Sequence, residues 1–210
     1  MNFKKAILVS AAVLAAAGII AGCGDQKAAS SASSAAAKET TIKVGVSPVP
    51  HAEIVGVVKD KLAKEGVKVE MVEFTDYVQP NLALADKSLD ANFFQHKPYL
   101  DEFCKSKGLK LTSLGAVHLE PMCVYSKKLK SLSDLADGAH VAIPNDPTNG
   151  GRALLVLQSA GLIKLKEGAP ITATPQDIAE NPKNLEFSEL EAPQLPSWCC
   201  LTSGNERSAI

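Results

Sequence analysis

From Ile42 onward, short strand-like runs alternate with longer runs of helical spacing, and this alternation constrains the fold more than any other feature of the sequence. The strand-like runs are rich in Val, Ile and Phe, whereas the intervening runs repeat apolar residues every three or four positions. The predicted strands are 42–46, 67–74, 90–94, 140–143 and 185–190, with a longer extended stretch over 109–126. The predicted helices are 50–66, 78–89, 97–108, a short one opening at Ser133-Asp134, and one closing at Gly161. Alternation of this kind predicts an α/β fold with a largely parallel sheet and helices on both faces.

The amino-terminal segment carries a targeting pattern. A basic start at 2–5 precedes an apolar run at 6–21, which leads into Ile20-Ala21-Gly22-Cys23. An apolar run of about 15 residues is short for a membrane span and is typical of a secretory signal. Its end resembles the lipobox of bacterial lipoproteins, in which the signal is cut before a cysteine that then carries the lipid. We therefore predict a lipoprotein signal peptide over 1–22 and a lipidated Cys23 that starts a flexible Ala/Ser tether over 23–41. The protein would then lie on the extracytoplasmic (periplasmic) side of a bacterial cell membrane. An ordinary signal peptide with a chance cysteine is the alternative.

Charge and cysteine content narrow the classes of partner. The formal net charge is -1, with both signs interspersed, so the sequence offers no basic footprint for nucleic acid. The chain has five cysteines and no CxxC spacing, which argues against a cysteine-based metal site. Cys104 and Cys123 are predicted to be small buried residues and not a redox pair.

The segments that follow the predicted strands indicate where a ligand would bind, because ligands of parallel sheets bind beyond the carboxyl ends of the strands. These segments are 47–51, 75–77, 95–96 and 144–152. They supply aromatic rings, histidines, hydroxyls, an amide and one arginine, but no cluster of carboxylates and no P-loop. The pattern favours a site for one small carboxylate with an apolar or mixed body. The lack of a recognisable nucleophile motif favours binding over catalysis, so no enzyme activity is predicted.

Arg152 is the residue of this set that most needs an explanation. The preceding IPNDPTNGG places it in the first turn of a predicted helix, where a cation costs about 0.3–1 kcal/mol. An arginine fork matches a carboxylate, and free amides at a helix start add to the attraction. We therefore predict that Arg152, together with Asn149, binds an anion. The alternative is an exposed arginine paired with Asp146.

Aromatic residues and histidines leave two further questions open. Phe93 and Phe94 are adjacent on a strand, so their side chains point to opposite faces. Phe93 is predicted to be a core residue, whereas Phe94 is the candidate to line a cleft with Tyr77. The four histidines (His51, His96, His118 and His140) make a zinc-binding transporter lipoprotein the main alternative. No pair of them has the short spacing of most metal sites, so no metal ligand is predicted.

Four segments together resemble the NlpA family, the methionine-binding lipoproteins of ABC-type amino-acid importers. They are TDYVQPN at 75–81, DANFFQHKPYL at 90–100, the stretch 118–158, and TPQDI at 174–178. The resemblance extends from about Thr41 to Leu195. It implies a two-lobed, type II periplasmic-binding-protein fold, with lobe 1 over 42–118, lobe 2 over 119–195 and a ligand clamped between them. It also implies that the protein captures methionine, most naturally the L form, and delivers it to a membrane permease driven by a cytoplasmic ATPase.

The resemblance also implies roles for individual residues. The arginine of the PTNxGR segment, here Arg152, would bind the ligand carboxylate, and Asn149 would share the polar end of the ligand. Tyr77, Phe94 and His96 would pack around the ligand side chain, where each thioether–aromatic contact contributes about 0.3–1.5 kcal/mol. Glu120 would bind the ammonium group. No catalytic residue, metal or cofactor is implied.

The carboxyl-terminal residues depart from the family pattern. After Gln194-Leu195-Pro196 the family continues through further strands, whereas this chain reads SWCCLTSGNERSAI. We predict that 196–210 is an atypical tail left by a truncation or frameshift. The second lobe and the return to the first would then be incomplete, and the chain would be weakly stable. A genuine divergent ending and a partial protein without transport function are the alternatives.

Overall fold

The computed structural model describes residues 39–198 and the backbone of 207–209. The predicted signal peptide, Cys23 and nearly all of the predicted tether lie outside the described residues. None of the described helices is long and apolar enough to cross a bilayer.

The first sheet contains three parallel strands in the order β2-β1-β3. These are β1 (Thr40–Val46), β2 (Val67–Glu73) and β3 (Ala91–Phe93), and they alternate with helices α1 (Glu53–Lys64), α2 (Gln79–Ala85) and α3 (Lys97–Lys107). The central strand β1 is buried towards its end, where Val44 and Val46 pack with Val69 of β2. Gly45 lies between them, and a Cβ at this position would come within 2.6 Å of the Leu89 side chain. A side chain here would therefore push Leu89 away from the sheet.

The second sheet is built on β4 (His140–Pro144), followed by α4 (Pro147–Ser159). A two-stranded antiparallel pair follows, formed by β5 (Lys164–Leu165) and β6 (Ile178–Glu180). The next elements are β7 (Glu186–Leu190), the short helix α5 (Leu195–Trp198) and β8 (Arg207–Ala209). Strand β4 is central and pairs in parallel with both β7 and β8. The apolar face of α4 packs on β4 and contributes three fully buried residues, Ala153, Leu154 and Leu157, to the largest core cluster.

Most predicted elements are confirmed, although several begin or end at different residues. The run 50–66 becomes a helical turn at Pro48–Ala52 followed by α1, and α2 ends at Ala85 instead of residue 89. Lys87 then adopts a left-handed backbone conformation, which directs the chain back to β3. The predicted helix at Ser133-Asp134 is wrong in extent. It is a three-residue 3₁₀ turn, Leu132–Asp134, stabilised by a capping box from Ser131.

The crossover between the two sheets differs from the prediction. Residues 109–124 form no regular strand and are mostly exposed, although the sequence predicts an extended element there. The prediction of a buried Cys123 is wrong, because this residue lies on the exposed crossover, whereas Cys104 on α3 is half-buried. Apolar residues alone therefore do not determine burial in this segment. The predicted lobe boundaries at 118 and 195 stay predictions.

Candidate functional site

The turn before α4 positions Arg152. Asp146 caps the helix, since its Oδ1 accepts the backbone N–H of Asn149 at 2.9 Å, and Pro147 occupies the first helical position. The helix therefore begins earlier than predicted, and Arg152 lies in its second turn. The expected dipole penalty on Arg152 is thus weaker than the sequence suggests, because that effect fades beyond the first turn.

Two glycines near the start of α4 allow this helix to approach its neighbours closely. A Cβ on Gly150 would lie 2.8 Å from the carbonyl oxygen of Pro144, and one on Gly151 would lie 1.9 Å from that of Ile171. Both contacts are with backbone atoms, which cannot move aside as a flexible side chain can. The pair of glycines therefore serves packing, and it fixes the position of the residue that follows them, Arg152.

The guanidinium of Arg152 donates hydrogen bonds to two neutral oxygen atoms. Its Nη1 donates to Asn149 Oδ1 and its Nη2 donates to the backbone oxygen of Glu120, each at 3.0 Å. Within residues 39–198, no carboxylate forms an ion pair with Arg152. The alternative pairing with Asp146 is wrong, because the carboxylate of Asp146 is engaged by Asn149 and Thr148. The positive charge of Arg152 thus remains available to an anion.

An aromatic cluster contributes an apolar wall. The rings of Tyr77 and Phe94 lie 5.7 Å apart, and Tyr99 contacts both of them at 6.1–6.2 Å. The Tyr99 hydroxyl donates to the backbone oxygen of Tyr77 at 2.8 Å, which fixes the two residues relative to each other. The adjacent phenylalanines have different surroundings, and Phe93 packs against the core cluster of β1 and β2. Phe94 is buried, with 6 % of its surface exposed, whereas Phe93 is half-buried and contacts histidine rings.

A network of amide side chains holds the segment between β3 and α3. Asn81 is fully buried, and its Oδ1 accepts hydrogen bonds from Asn92 at 2.9 Å and from Gln95 at 2.8 Å. Asn81 also donates to Gln95 Oε1 at 2.8 Å. The network fixes the backbone on both sides of Phe94 and just before His96. Sequence reasoning assigned no role to Asn81 and Asn92, because amides in helices and strands carry no distinctive pattern.

His96 presents a buried nitrogen without a partner. Its Nε2 is the one buried side-chain polar atom that lacks a hydrogen bond in the part of the chain that the structure describes. Leaving such an atom unsatisfied costs about 1–3 kcal/mol. Burial lowers the pKa of His96 below its ordinary 6.5, and the charge of Arg152 lowers it further. The ring is therefore neutral near pH 7, and its free nitrogen could exchange a hydrogen bond with a ligand.

The six predicted ligand-binding residues are thus brought near one another. Arg152 contacts Asn149 and the backbone of Glu120 directly, and its charge acts on His96. Burial raises the pKa of Tyr77, and the negative charge of Glu120 raises it further. Phe94 joins this group through Tyr77. The arrangement combines one cation, one neutral imidazole and an apolar wall, which suits a small anion with an apolar body.

A second group of polar residues meets beside this site. Donor atoms of His51, His118 and Glu120 all lie within 4.8 Å of one another. His118 Nε2 is 3.3 Å from Glu120 Oε1, and the rings of His51 and His118 are 5.1 Å apart. The short-spacing argument missed this group because 66 residues separate the two histidines in the sequence. The segment 47–51 beyond β1 is the sequence signal that pointed to His51.

This chain matches a known protein family. The family described as NlpA lipoprotein matches residues 42–200. The chain belongs to the NlpA lipoprotein family. A relative from Salmonella typhi, described as the D-methionine-binding lipoprotein MetQ, is 50% identical over 199 residues, covering 93% of this chain and 69% of the relative. A relative from Vibrio cholerae, described as a probable D-methionine-binding lipoprotein MetQ, is 47% identical and covers 93% and 70% respectively.

Solved NlpA-type structures share the fold. A nutrient binding protein from Burkholderia cenocepacia bound to methionine has a TM-score of 0.73 at 50% identity, covering 80% of this chain and 71% of that one. Lipoprotein Tp32 from Treponema pallidum has a TM-score of 0.77 at 35% identity, covering 82% and 71%. These neighbours confirm the predicted two-lobed periplasmic-binding-protein-like α/β fold. The chain spans about seven-tenths of the length of these NlpA relatives.

Proposed function

We propose that this chain is a lipid-anchored extracytoplasmic binding protein that captures methionine and delivers it to an ABC transporter. The observation that carries the proposal is the guanidinium of Arg152, which has no carboxylate partner in the described residues and whose charge acts on His96, the residue with the unsatisfied nitrogen. The methionine named for the relatives and bound in the Burkholderia cenocepacia protein supports the same ligand.

The polar end of the ligand would bind at Arg152. Its two hydrogen bonds go to neutral oxygens, and a ligand carboxylate would accept bidentate, charge-assisted bonds that are about twice as strong. Asn149, which already holds one arm of the guanidinium, would orient it for this contact. Glu120 would bind the ammonium group, because its side chain is 50% exposed while its backbone contacts Arg152.

The apolar end of the ligand would pack against Tyr77 and Phe94. A thioether gains about 0.3–1.5 kcal/mol per aromatic contact, which an aliphatic chain of similar length does not. His96 Nε2 would exchange a hydrogen bond with the ligand, which removes the cost of its unsatisfied state. This combination favours methionine over acidic or basic amino acids, whose charged ends would be desolvated against the aromatic wall.

The proposal also includes the membrane transporter that receives methionine and the lipid that anchors the protein. The protein would hand methionine to a membrane permease driven by a cytoplasmic ATPase, and it would act without catalysing a reaction. The NlpA lipoprotein assignment and the short apolar leader support anchoring through Cys23.

The anchor gives a first expected result. We expect Cys23→Ser to move the protein from the membrane fraction to the soluble fraction of cell extracts, because the lipid-bearing thiol is lost. Immunoblots of the two fractions check this, with Cys104→Ser as the matched control that should stay in the membrane fraction. A Cys23→Ser protein that remains membrane-bound would show that something other than this cysteine holds it there.

A thermal-shift panel tests the ligand. L-methionine, D-methionine, leucine, glutamate and lysine are each added to the purified full chain. At a hundredfold excess over Kd, a ligand that binds only the folded state raises stability by about 2.7 kcal/mol, or roughly 5–11 °C in Tm for a chain of this size. We expect a shift with methionine and none with glutamate or lysine. Calorimetry with both enantiomers then determines which one binds more tightly. No shift with either enantiomer would overturn the proposal.

A further inference from the structure

We propose that His51, His118 and Glu120 form a binding site for a divalent transition-metal ion of the Zn²⁺ type. The site would share Glu120 with the proposed methionine site and add two residues, His51 and His118, that have no role in the proposed methionine function. Each of the three side chains offers one donor atom, and all three donors lie within 4.8 Å of one another.

The distances between the donor atoms would fit a tetrahedral ion once the most distant pair moves closer together. With Zn–N and Zn–O bonds near 2.0–2.2 Å, neighbouring ligand atoms in a tetrahedral site are about 3.3 Å apart. The pair His118 Nε2 and Glu120 Oε1 already lies at 3.3 Å. The most distant pair of donors, at most 4.8 Å apart, needs to close by about 1.5 Å, which side-chain rotation of an exposed Glu or His can supply.

The environment of His51 suits a metal ligand. Its Nδ1 is 2.6 Å from the hydroxyl oxygen of Ser47, and donation from Nδ1–H to that oxygen would leave Nε2 as the metal-binding atom. Metal-binding histidines commonly have such a partner, which fixes the ring and its tautomer. The ring also packs edge-on against Phe93 at 4.7 Å, and only 5% of the residue is exposed.

The other two proposed ligands, His118 and Glu120, let an ion enter from solvent and leave a fourth coordination position open. The side chain of His118 is 27% exposed and that of Glu120 is 50% exposed, so an ion can enter from solvent. Two imidazoles and one carboxylate are a donor set found in zinc sites with three protein ligands, in which water or a small molecule takes the fourth position. Imidazole nitrogen favours Zn²⁺ and its neighbours over Mg²⁺ and Ca²⁺, which prefer oxygen ligands.

The chain contains a matched control. His140 Nε2 lies 3.2 Å from Glu186 Oε2, with side chains 33% and 62% exposed, so it forms a similar histidine–carboxylate pair. No third metal-binding group joins this pair among the residues that the structure describes. His118→Ala and His140→Ala therefore each remove a partly exposed histidine that pairs with one carboxylate. Only His118→Ala also breaks up a group of three donor atoms.

Calorimetry with Zn²⁺ tests the proposal on the purified full chain without methionine. Its thiols are first blocked with N-ethylmaleimide, because cysteines also bind Zn²⁺. We expect one Zn²⁺ per chain and no binding of Mg²⁺. His118→Ala should lose at least about tenfold in affinity, since even removing the hydrogen-bond partner of a ligand costs about 10–100-fold. His140→Ala should bind as the unchanged protein does. Ser47→Ala should weaken binding about tenfold through His51 without removing a ligand.

The outcomes separate this site from the methionine site. Absence of Zn²⁺ binding, undiminished binding by His118→Ala, or an equal loss in His140→Ala would overturn the metal site. Methionine binding in the thermal-shift panel would stand in each of these cases, because it is measured without metal. Co²⁺ absorption gives a second readout, since tetrahedral coordination by nitrogen and oxygen produces ligand-field bands that His118→Ala should abolish.

Discussion

Replacing Arg152 with alanine is expected to cost about 30-fold to 4,000-fold in methionine affinity, the largest effect of any single change at the proposed site. Removing one partner of a buried, hydrogen-bonded charge pair costs about 2–5 kcal/mol, and each 1.4 kcal/mol is tenfold in Kd. The loss would leave the ligand carboxylate unpaired in the site, because Arg152 is the one arginine within residues 39–198. Titration calorimetry of the full chain with methionine measures the change.

Two further variants make this result specific. Arg152→Lys keeps the charge but loses the planar fork, so an intermediate loss is expected. Lys164→Ala removes an exposed cation that pairs with Glu180 at 2.7 Å, and it should leave methionine affinity unchanged. Melting curves would check that all three variants fold. A loss smaller than about fivefold for Arg152→Ala would contradict the assignment of the carboxylate to this residue.

Replacing Gly151 with alanine should cause the largest loss of stability among Gly→Ala changes at the glycines that the structure describes. The new Cβ would lie 1.9 Å from the Ile171 carbonyl oxygen and 3.1 Å from the Ala173 nitrogen, so either α4 or the facing loop must shift. Overpacking a filled core lowers the free energy of unfolding by about 1–3 kcal/mol. We expect a loss near the upper end here, because the new Cβ would contact backbone atoms that cannot move aside. For a domain of this size, about 3 kcal/mol corresponds to a fall in Tm of roughly 6–12 °C.

Gly56 supplies the matched control for this change. It lies on exposed α1, and a Cβ there would meet nothing within 4 Å. Gly56→Ala should leave Tm unchanged or raise it, since Ala is favoured over Gly inside a helix by about 0.5–1 kcal/mol. Differential scanning calorimetry compares the two variants. A Gly151→Ala protein that melts within about 2 °C of the unchanged protein would show that α4 does not need this close approach.

The local elements of this fold were predictable because each is encoded by neighbouring residues. Strand β1 and helix α3 have the predicted bounds within two residues, and Gly108 ends α3 in the left-handed conformation that glycine favours. The start of α4 was misplaced even so. The sequence contains its signals, Asp146 as cap and Pro147 at the first position, but the following glycines obscured them.

The binding site was predictable in composition but not in geometry. The rule that ligands bind beyond strand ends selected the segments that carry Tyr77, His96 and Arg152, and the structure brings these segments near one another. The sequence left the role of Phe94 open, because strand alternation shows only that it and Phe93 face opposite sides. Which side is buried depends on where α3 and its Tyr99 pack.

The sequence by itself determined the order of most strands and helices and the family to which the chain belongs. These properties depend on backbone conformation and side-chain periodicity over a few residues, which local sequence specifies. Only the tertiary structure decided that Arg152 donates to Glu120 across the crossover, that Gly151 meets Ile171, and that His51 converges with His118. Such contacts join residues far apart in the chain, and they depend on how two sheets and an irregular crossover pack. No local pattern encodes that packing.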